Sequence, residues 1–310
     1  MVRIHLDTDF AGDPDDACAL AMLLGWPGVD MAGITTVADP DGRRAGYVHR
    51  LLEMAGSPDI PVVSGAGASL TTGLAMGSLP DHDRYWGDDP VTPVVSPSGA
   101  ATGLLRRSVA SGATVVAIGP QTNLAMLELD QPGVLTHVQV VAMGGWFGPP
   151  ADGLPDWGPT HDWNTQRDTR AAATVADRAQ LTLVPLSVTV GVHLTRRDLP
   201  RLEAAGPLGR VLARQALAYC EDESKSALAA DHPGLPTDLL NFHHDPLACA
   251  VAAGWSGASR RPLHLAPHLD NGILSFVESA GRPVSVVTAV DSSAFARRWL
   301  AAVEHCSRLP

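Results

Sequence analysis

Val2-Arg3-Ile4-His5-Leu6-Asp7-Thr8-Asp9-Phe10-Ala11-Gly12-Asp13-Pro14-Asp15-Asp16-Ala17 is the stretch on which the reading of this chain turns. Val2–Leu6 is a short, largely apolar run of the kind that forms a buried strand. Asp13 and Pro14 then read as a helix N-cap and first helical residue. Asp15 and Asp16 fall in the first turn, and Ala17, Leu20 and Leu24 form an apolar stripe ending near Gly25. A strand that passes through a polar loop into a helix is the first half of a βα unit. The loop carries five carboxylates within ten residues, Asp7 to Asp16, at the strand's carboxyl end, where open α/β sheets bind ligands. So many hard oxygens suit Ca²⁺ or Mg²⁺ better than Zn²⁺. An EF-hand is excluded because the twelfth position counted from Asp7 is Cys18 rather than a bidentate glutamate. No glycine-rich dinucleotide or P-loop pattern follows the strand.

Working outward, the same alternation continues. Strands are expected at Met31–Thr36, Pro61–Ser64, Ala113–Ile118, Val138–Met143 and Leu181–Leu186, with helices at Arg43–Ala55, Ala101–Ser111, Gln121–Leu127 and Thr165–Ala176. Such repetition predicts an α/β protein with a mostly parallel sheet. Residues 65–97 and 144–161 are rich in glycine and proline and read as loops over a site. A long helix from Gly206 through Ser226, a polar junction Asp231–Asp245, a helix from Pro246 and terminal strands Ile273–Val277 and Val284–Thr288 complete the pattern. One continuous domain over 1–310 is the expectation.

Composition narrows the function. Hydrophobic residues make up 45% and charged residues 18%, as in a globular protein, and no apolar run is long enough to span a membrane. The net charge of −11, with no basic run, argues against nucleic acid as a partner. Four scattered cysteines without metal spacing, and an N-terminus without a signal-peptide plan, point to the cytoplasm.

A second polar cluster, Asn241-Phe242-His243-His244-Asp245-Pro246, opens a helix far downstream. Together with Gly33-Ile34-Thr35-Thr36-Val37-Ala38, Ala117-Ile118-Gly119-Pro120-Gln121-Thr122-Asn123, Met143-Gly144-Gly145 and Asp162-Trp163-Asn164, the two acidic clusters form an ordered set. That set resembles the motifs of the calcium-dependent nucleoside hydrolases, the inosine-uridine-preferring family. The resemblance runs from about residue 3 to 290. It implies an open, mostly parallel, Rossmann-like sheet flanked by helices, the nucleoside hydrolase fold, and a homodimer or homotetramer. It also implies hydrolysis of a ribonucleoside to ribose and free base. Carried over position by position, Asp9, Asp16, Asp245 and the carbonyl of Ile118 would bind Ca²⁺, with Asp9 also the general base for the metal-bound water. Asp15, Asp39, Asp156, Asp162 and Asn164 would meet the ribose, and His244 would stand near the leaving base.

The chain departs from the family pattern in several places. Two extra residues separate Asp9 from the Asp15-Asp16 pair, which adds Asp13, and Ala11 stands near the usual glycine. Asp39 and Asp156 replace asparagines and Asp162 replaces a glutamate, which makes the expected sugar site more acidic. Trp86 and Trp157 are candidates to stack on the base, and His82 and His161 to protonate it. A ribosyl-binding protein without turnover, or an N-ribosyl hydrolase of a specialised pathway with altered sugar or base specificity, is one competing reading. The other, a Mg²⁺-dependent phosphohydrolase, lacks a phosphate-gripping residue near its motif, since Lys225 is the single lysine.

Overall fold

The computed structural model describes residues 1–308. Eleven strands are found among them: β1 Val2–Thr8, β2 Val29–Thr36, β3 Val62–Ser64, β4 Thr114–Ala117, β5 Gln139–Met143, β6 Gln180–Val184, β7 His193–Thr195, β8 Leu239–Phe242, β9 Ala258–Asp270, β10 Ile273–Glu278 and β11 Arg282–Val290. Nine build one sheet in the order β10-β9-β11-β6-β5-β4-β1-β2-β3, and β7 pairs antiparallel with β8 apart from it. From β3 to β11 every neighbouring pair is parallel; β9 alone runs against the rest, antiparallel to both β11 and β10. The expected parallel α/β sheet is therefore present. No helix is long and apolar enough to cross a membrane among the described residues.

Strand order positions the site. After β1 the chain moves outward through β2 and β3, then returns to lay β4 against the other side of β1. Loops leaving β1 and β4 diverge to opposite faces, and the crevice between them is where such sheets take ligands. Asp7 pairs in register with Thr35 on one side and Ala117 on the other, so Asp9 and Ile118 emerge together at that crevice.

The helix after β1 runs Asp15–Leu24, with Pro14 as its cap residue; the Asp13 side chain instead accepts from the Asp15 N–H at 3.0 Å. This helix packs against His244–Ala252 and against Ser292–Cys306. Gly25 is required at the latter crossing, because a Cβ there would lie 1.9 Å from the Ala302 carbonyl oxygen. Trp299 donates to the Cys18 carbonyl at 3.2 Å across the same contact. Chain ends are thereby tied together, and Asp245 is carried to Asp15 and Asp16.

Two expected helices are broken. Thr165–Ala176 divides into Trp163–Arg167 and Thr169–Arg178, because Asp168 leaves helical geometry to cap the second piece. Its fully buried carboxylate also accepts from Leu70 N, Thr71 N, Thr71 Oγ1 and Thr122 Oγ1, pinning the 65–97 loop. The long helix from Gly206 is Pro207–Asp222, followed after Ser224 by Lys225–Asp231. The junction 231–245 contains β8, and the next helix begins at His244 rather than Pro246. Sequence reading also missed β9, whose Pro262 and Pro267 obscure its strand pattern, and the C-terminal helix.

Candidate active site

A cavity of about 580 Å³ opens at the carboxyl ends of β1, β4 and β5. Asp9, Asp13, Asp15, Asp16, Ile118, Met143, Asp162, Asn164, His244 and Asp245 all line it. Oxygens of Asp15, Asp16 and Asp245 lie within 4.8 Å of one another, drawn from opposite ends of the chain, and all three residues are buried. The first motif supplies two of these acids because its helix starts at Asp15, and the helix at His244 supplies the third in its own first turn.

Unbalanced charge dominates this wall. Burial raises the carboxyls of Asp15, Asp16 and Asp245 well above the usual range, and repulsion within the group adds to it: Asp13 and Asp16 act on Asp15, Asp9 on Asp16, and Asp15 on Asp245. Burial also raises Asp9, against the opposing pull of Arg44. Hydrogen bonds hold the acids in place without neutralising them. Thr8 donates to Asp16, the Asp245 N–H to Asp15 at 3.1 Å, and Asn241 to Asp13 at 2.5 Å. Trp163 Nε1 donates to Asp9 Oδ2 at 3.1 Å. An all-oxygen donor set of this charge fits a hard divalent cation.

Arg44 shapes the loop itself. Its guanidinium, buried beneath the acidic stretch, donates to the carbonyls of Asp9, Phe10 (2.7 Å) and Ala38 (2.9 Å). Those bonds hold Ala11 and Ala38 at φ of 70° and 56°, a region ordinarily left to glycine and costing about 1–2 kcal/mol for a residue with a Cβ. Asp162 is equally fixed, accepting from Gly145 N at 2.5 Å and Thr165 N at 3.2 Å. The Asn164 amide donates to the carbonyls of Ile118 (3.2 Å) and Met143 (3.1 Å). His244 pairs through Nδ1 with Thr189 Oγ1 at 2.7 Å and stacks on Phe242; burial, then the nearby charge of Lys225, pushes it down to about 3. The imidazole is therefore neutral at physiological pH.

The model of the inosine-uridine preferring nucleoside hydrolases matches residues 4–297 of this chain. The chain belongs to that family. Among relatives of this nucleoside hydrolase are the pyrimidine-specific ribonucleoside hydrolases RihA of Salmonella schwarzengrund and Salmonella dublin. They are 32% and 31% identical over 224 and 223 residues, in both cases 67% of this chain and 70% of the relative. Similar solved structures include the plant nucleoside hydrolase PpNRh1, with a TM-score of 0.80 at 23% identity over 97% of this chain and 98% of that one. The purine-preferring ribonucleoside hydrolase of Gardnerella vaginalis reaches 0.79 at 20% identity, over 99% and 100%. These two likenesses establish the fold, and family membership makes the chain an enzyme of the nucleoside hydrolase class.

Four residues expected at the sugar or base lie elsewhere in this hydrolase. Asp39 is buried outside the cavity, its carboxylate accepting from Thr36 Oγ1 (2.7 Å) and the backbone N–H groups of Arg44 (3.0 Å) and Ala45 (2.9 Å). It caps the first turn of the helix Arg43–Met54, which carries Arg44. Asp156 is exposed to solvent and is not a cavity wall. Trp86 is buried against Tyr47, ring centroids 4.8 Å apart, and does not reach the cavity; His82, bonded to Tyr47, does not either. Trp157 and His161 do line the cavity, stacked on one another. Sequence reading passed over Arg44, Tyr219 and the contact of Trp163 with Asp9. Only Trp163 carried a signal, its place between Asp162 and Asn164.

Proposed function

We propose that this chain hydrolyses the N-glycosidic bond of a ribonucleoside in dependence on Ca²⁺, releasing ribose and free base. The observation that carries the reading is the convergence of Asp15, Asp16 and Asp245 within 4.8 Å, beside Asp9, in a cavity of nucleoside size. Carboxylates this close and this buried cannot all remain ionised without a cation, and their hard oxygens suit Ca²⁺. Asp9, Asp16, Asp245 and the Ile118 carbonyl would hold the ion, with Asp15 close enough to share it. Bound there, Ca²⁺ would polarise the attacking water and accept sugar hydroxyls into its coordination shell.

The remaining work falls to the protein. Asp9 accepts a proton from the water through the oxygen that Trp163 leaves free. Asp15 and Asp162 accept from ribose hydroxyls, and the Asn164 carboxamide oxygen, its amide already used by two carbonyls, does the same. Rigid anchoring of Asp162 keeps that grip in register as the sugar flattens toward an oxocarbenium ion. The acidic wall favours that cation. Direct attack opposite the base inverts the anomeric centre. His244, neutral and stacked on Phe242, offers the base a hydrogen bond. The same reading keeps the enzyme in the cytoplasm as a homodimer or homotetramer.

The relatives' names specify pyrimidine in one case and purine in another, so the substrate class supported is the ribonucleoside, common to both. The test is ribose release from uridine, cytidine, inosine and guanosine, with Ca²⁺ and with a chelator. Release that the chelator abolishes and Ca²⁺ restores is the expected result. Binding without release would favour the ribosyl-binding reading, and release indifferent to chelator would remove the metal.

A further inference from the structure

Lys225 is the only lysine of the chain and is largely buried, 8% exposed, on the cavity wall. Its Nζ lies over the rings of Tyr219, at 4.8 Å from the centroid, and Phe242, at 5.4 Å. Among the described residues it makes no hydrogen bond and no ion pair, although acidic side chains line the same cavity. Two aromatic faces steady the ammonium and leave its N–H donors without protein acceptors, open to the cavity. A largely buried lysine whose donors meet no protein acceptor but open on the cavity is placed to serve a molecule bound there.

The backbone points the same way. The preceding residue, Ser224, holds φ at 50°, one of four non-glycine residues with positive φ among those described. That turn breaks the expected long helix and starts a new one at Lys225. Strain of this kind, at a cavity wall and at a cation, is of the sort found at functional sites.

Resting on the hydrolase reading above, we propose that Lys225 is the cationic donor to the departing base. Its ammonium donates to a ring nitrogen or carbonyl oxygen of the base and faces the negative charge that develops there. When the glycosidic bond breaks, its electron pair stays on the base nitrogen. Water oxygen bonds the anomeric carbon, and the proton passed to Asp9 returns through solvent to complete the neutral base. The cavity thus divides its charge: carboxylates for the sugar cation, one ammonium for the base anion.

The test compares nucleosides with 4-nitrophenyl β-D-ribofuranoside, whose phenolate is a stable anion that needs no such donor. In Lys225→Met, kcat on the preferred nucleoside should fall roughly 100-fold, more than KM changes. That loss should exceed the loss on the nitrophenyl riboside by at least about tenfold, and Lys225→Arg should recover part of it. Lys225→Gln, which keeps the reach and loses the charge, serves if the methionine variant does not fold. Equal losses on both substrates, or no loss on either, would overturn the role of Lys225 while leaving the hydrolase reading intact. A wild-type enzyme that hydrolyses neither substrate would refute the hydrolase reading and this one with it.

Discussion

Asp7→Asn is the most informative single substitution for the architecture beneath the site. Asp7 is fully buried at the end of β1, and its Oδ1 accepts from Thr35 Oγ1 at 2.5 Å and Asn123 Nδ2 at 2.8 Å. Its Oδ2 is buried without a partner. Burial pushes the carboxyl from 3.8 up to about 7, outweighing the two hydrogen bonds, and the charge of Asp9 adds to the rise. The sign follows from the folded value lying above the unfolded one. Stability is full below the unfolded pKa and falls as pH climbs toward 7, because the unfolded chain sheds this proton first. At 1.36 kcal/mol per unit, the rise of Asp7 corresponds to about 4 kcal/mol, of which about 3 lies between pH 5 and 8. Asparagine keeps the acceptor oxygen and never ionises. The variant should therefore gain about 3 kcal/mol on wild type between pH 5 and 8, roughly 6 °C in Tm for a chain of this length. Thermal unfolding of both proteins, at both pH values and in the same excess Ca²⁺, measures that difference. The titrations of Asp15, Asp16 and Asp245 are common to the two proteins and drop out of it, while the coupling of Asp7 to Asp9 stays within the difference measured. A pH-independent difference would show that Asp7 is ionised in both states and that the buried-acid argument fails.

Asp9→Asn should lower kcat by about 10²–10⁴-fold with a much smaller change in KM, since a base is lost while ribose contacts remain; steady-state kinetics would contradict this if KM carried the loss. Asp39→Ala should destabilise the fold by about 1–3 kcal/mol in denaturant, because three donors lose their acceptor, whereas loss of affinity at full stability would place Asp39 at the sugar after all. Gly119→Ala would bring a Cβ to 2.7 Å from Asp9 N and 2.8 Å from its Oδ1, so turnover should drop at least about tenfold from a misplaced base. Unimpaired turnover in that variant would argue against Asp9 as the base.

The division of labour between sequence and tertiary structure is visible in particular residues. Binary pattern alone determined the βα alternation, and with it the parallel sheet and the loop after β1, because a strand's apolar run and a helix's stripe are local, periodic signals. Motif order located Asp9, Asp16, Asp245, Ile118, Asp162, Asn164 and His244, all of which line one cavity. Some local signals were present and unread, notably Asn271-Gly272, whose φ values of 47° and 82° turn β9 into β10. Other features exist only in three dimensions. Asp39 and Asp162 are similar acids in similar motifs, yet one caps a helix and the other faces the cavity. What separates them is which backbone N–H groups the folded chain brings within reach. Asp168 breaks a helix that local propensity favours, since four donors from distant loops outweigh one more turn. Arg44 and Lys225 carry no motif at all: one is buried under carbonyls 34 and 35 residues away, the other against Phe242 from the next element. Their partners are assigned by burial, which depends on the whole fold, and burial is also what raises Asp15, Asp16 and Asp245 into a cluster that could hold a cation.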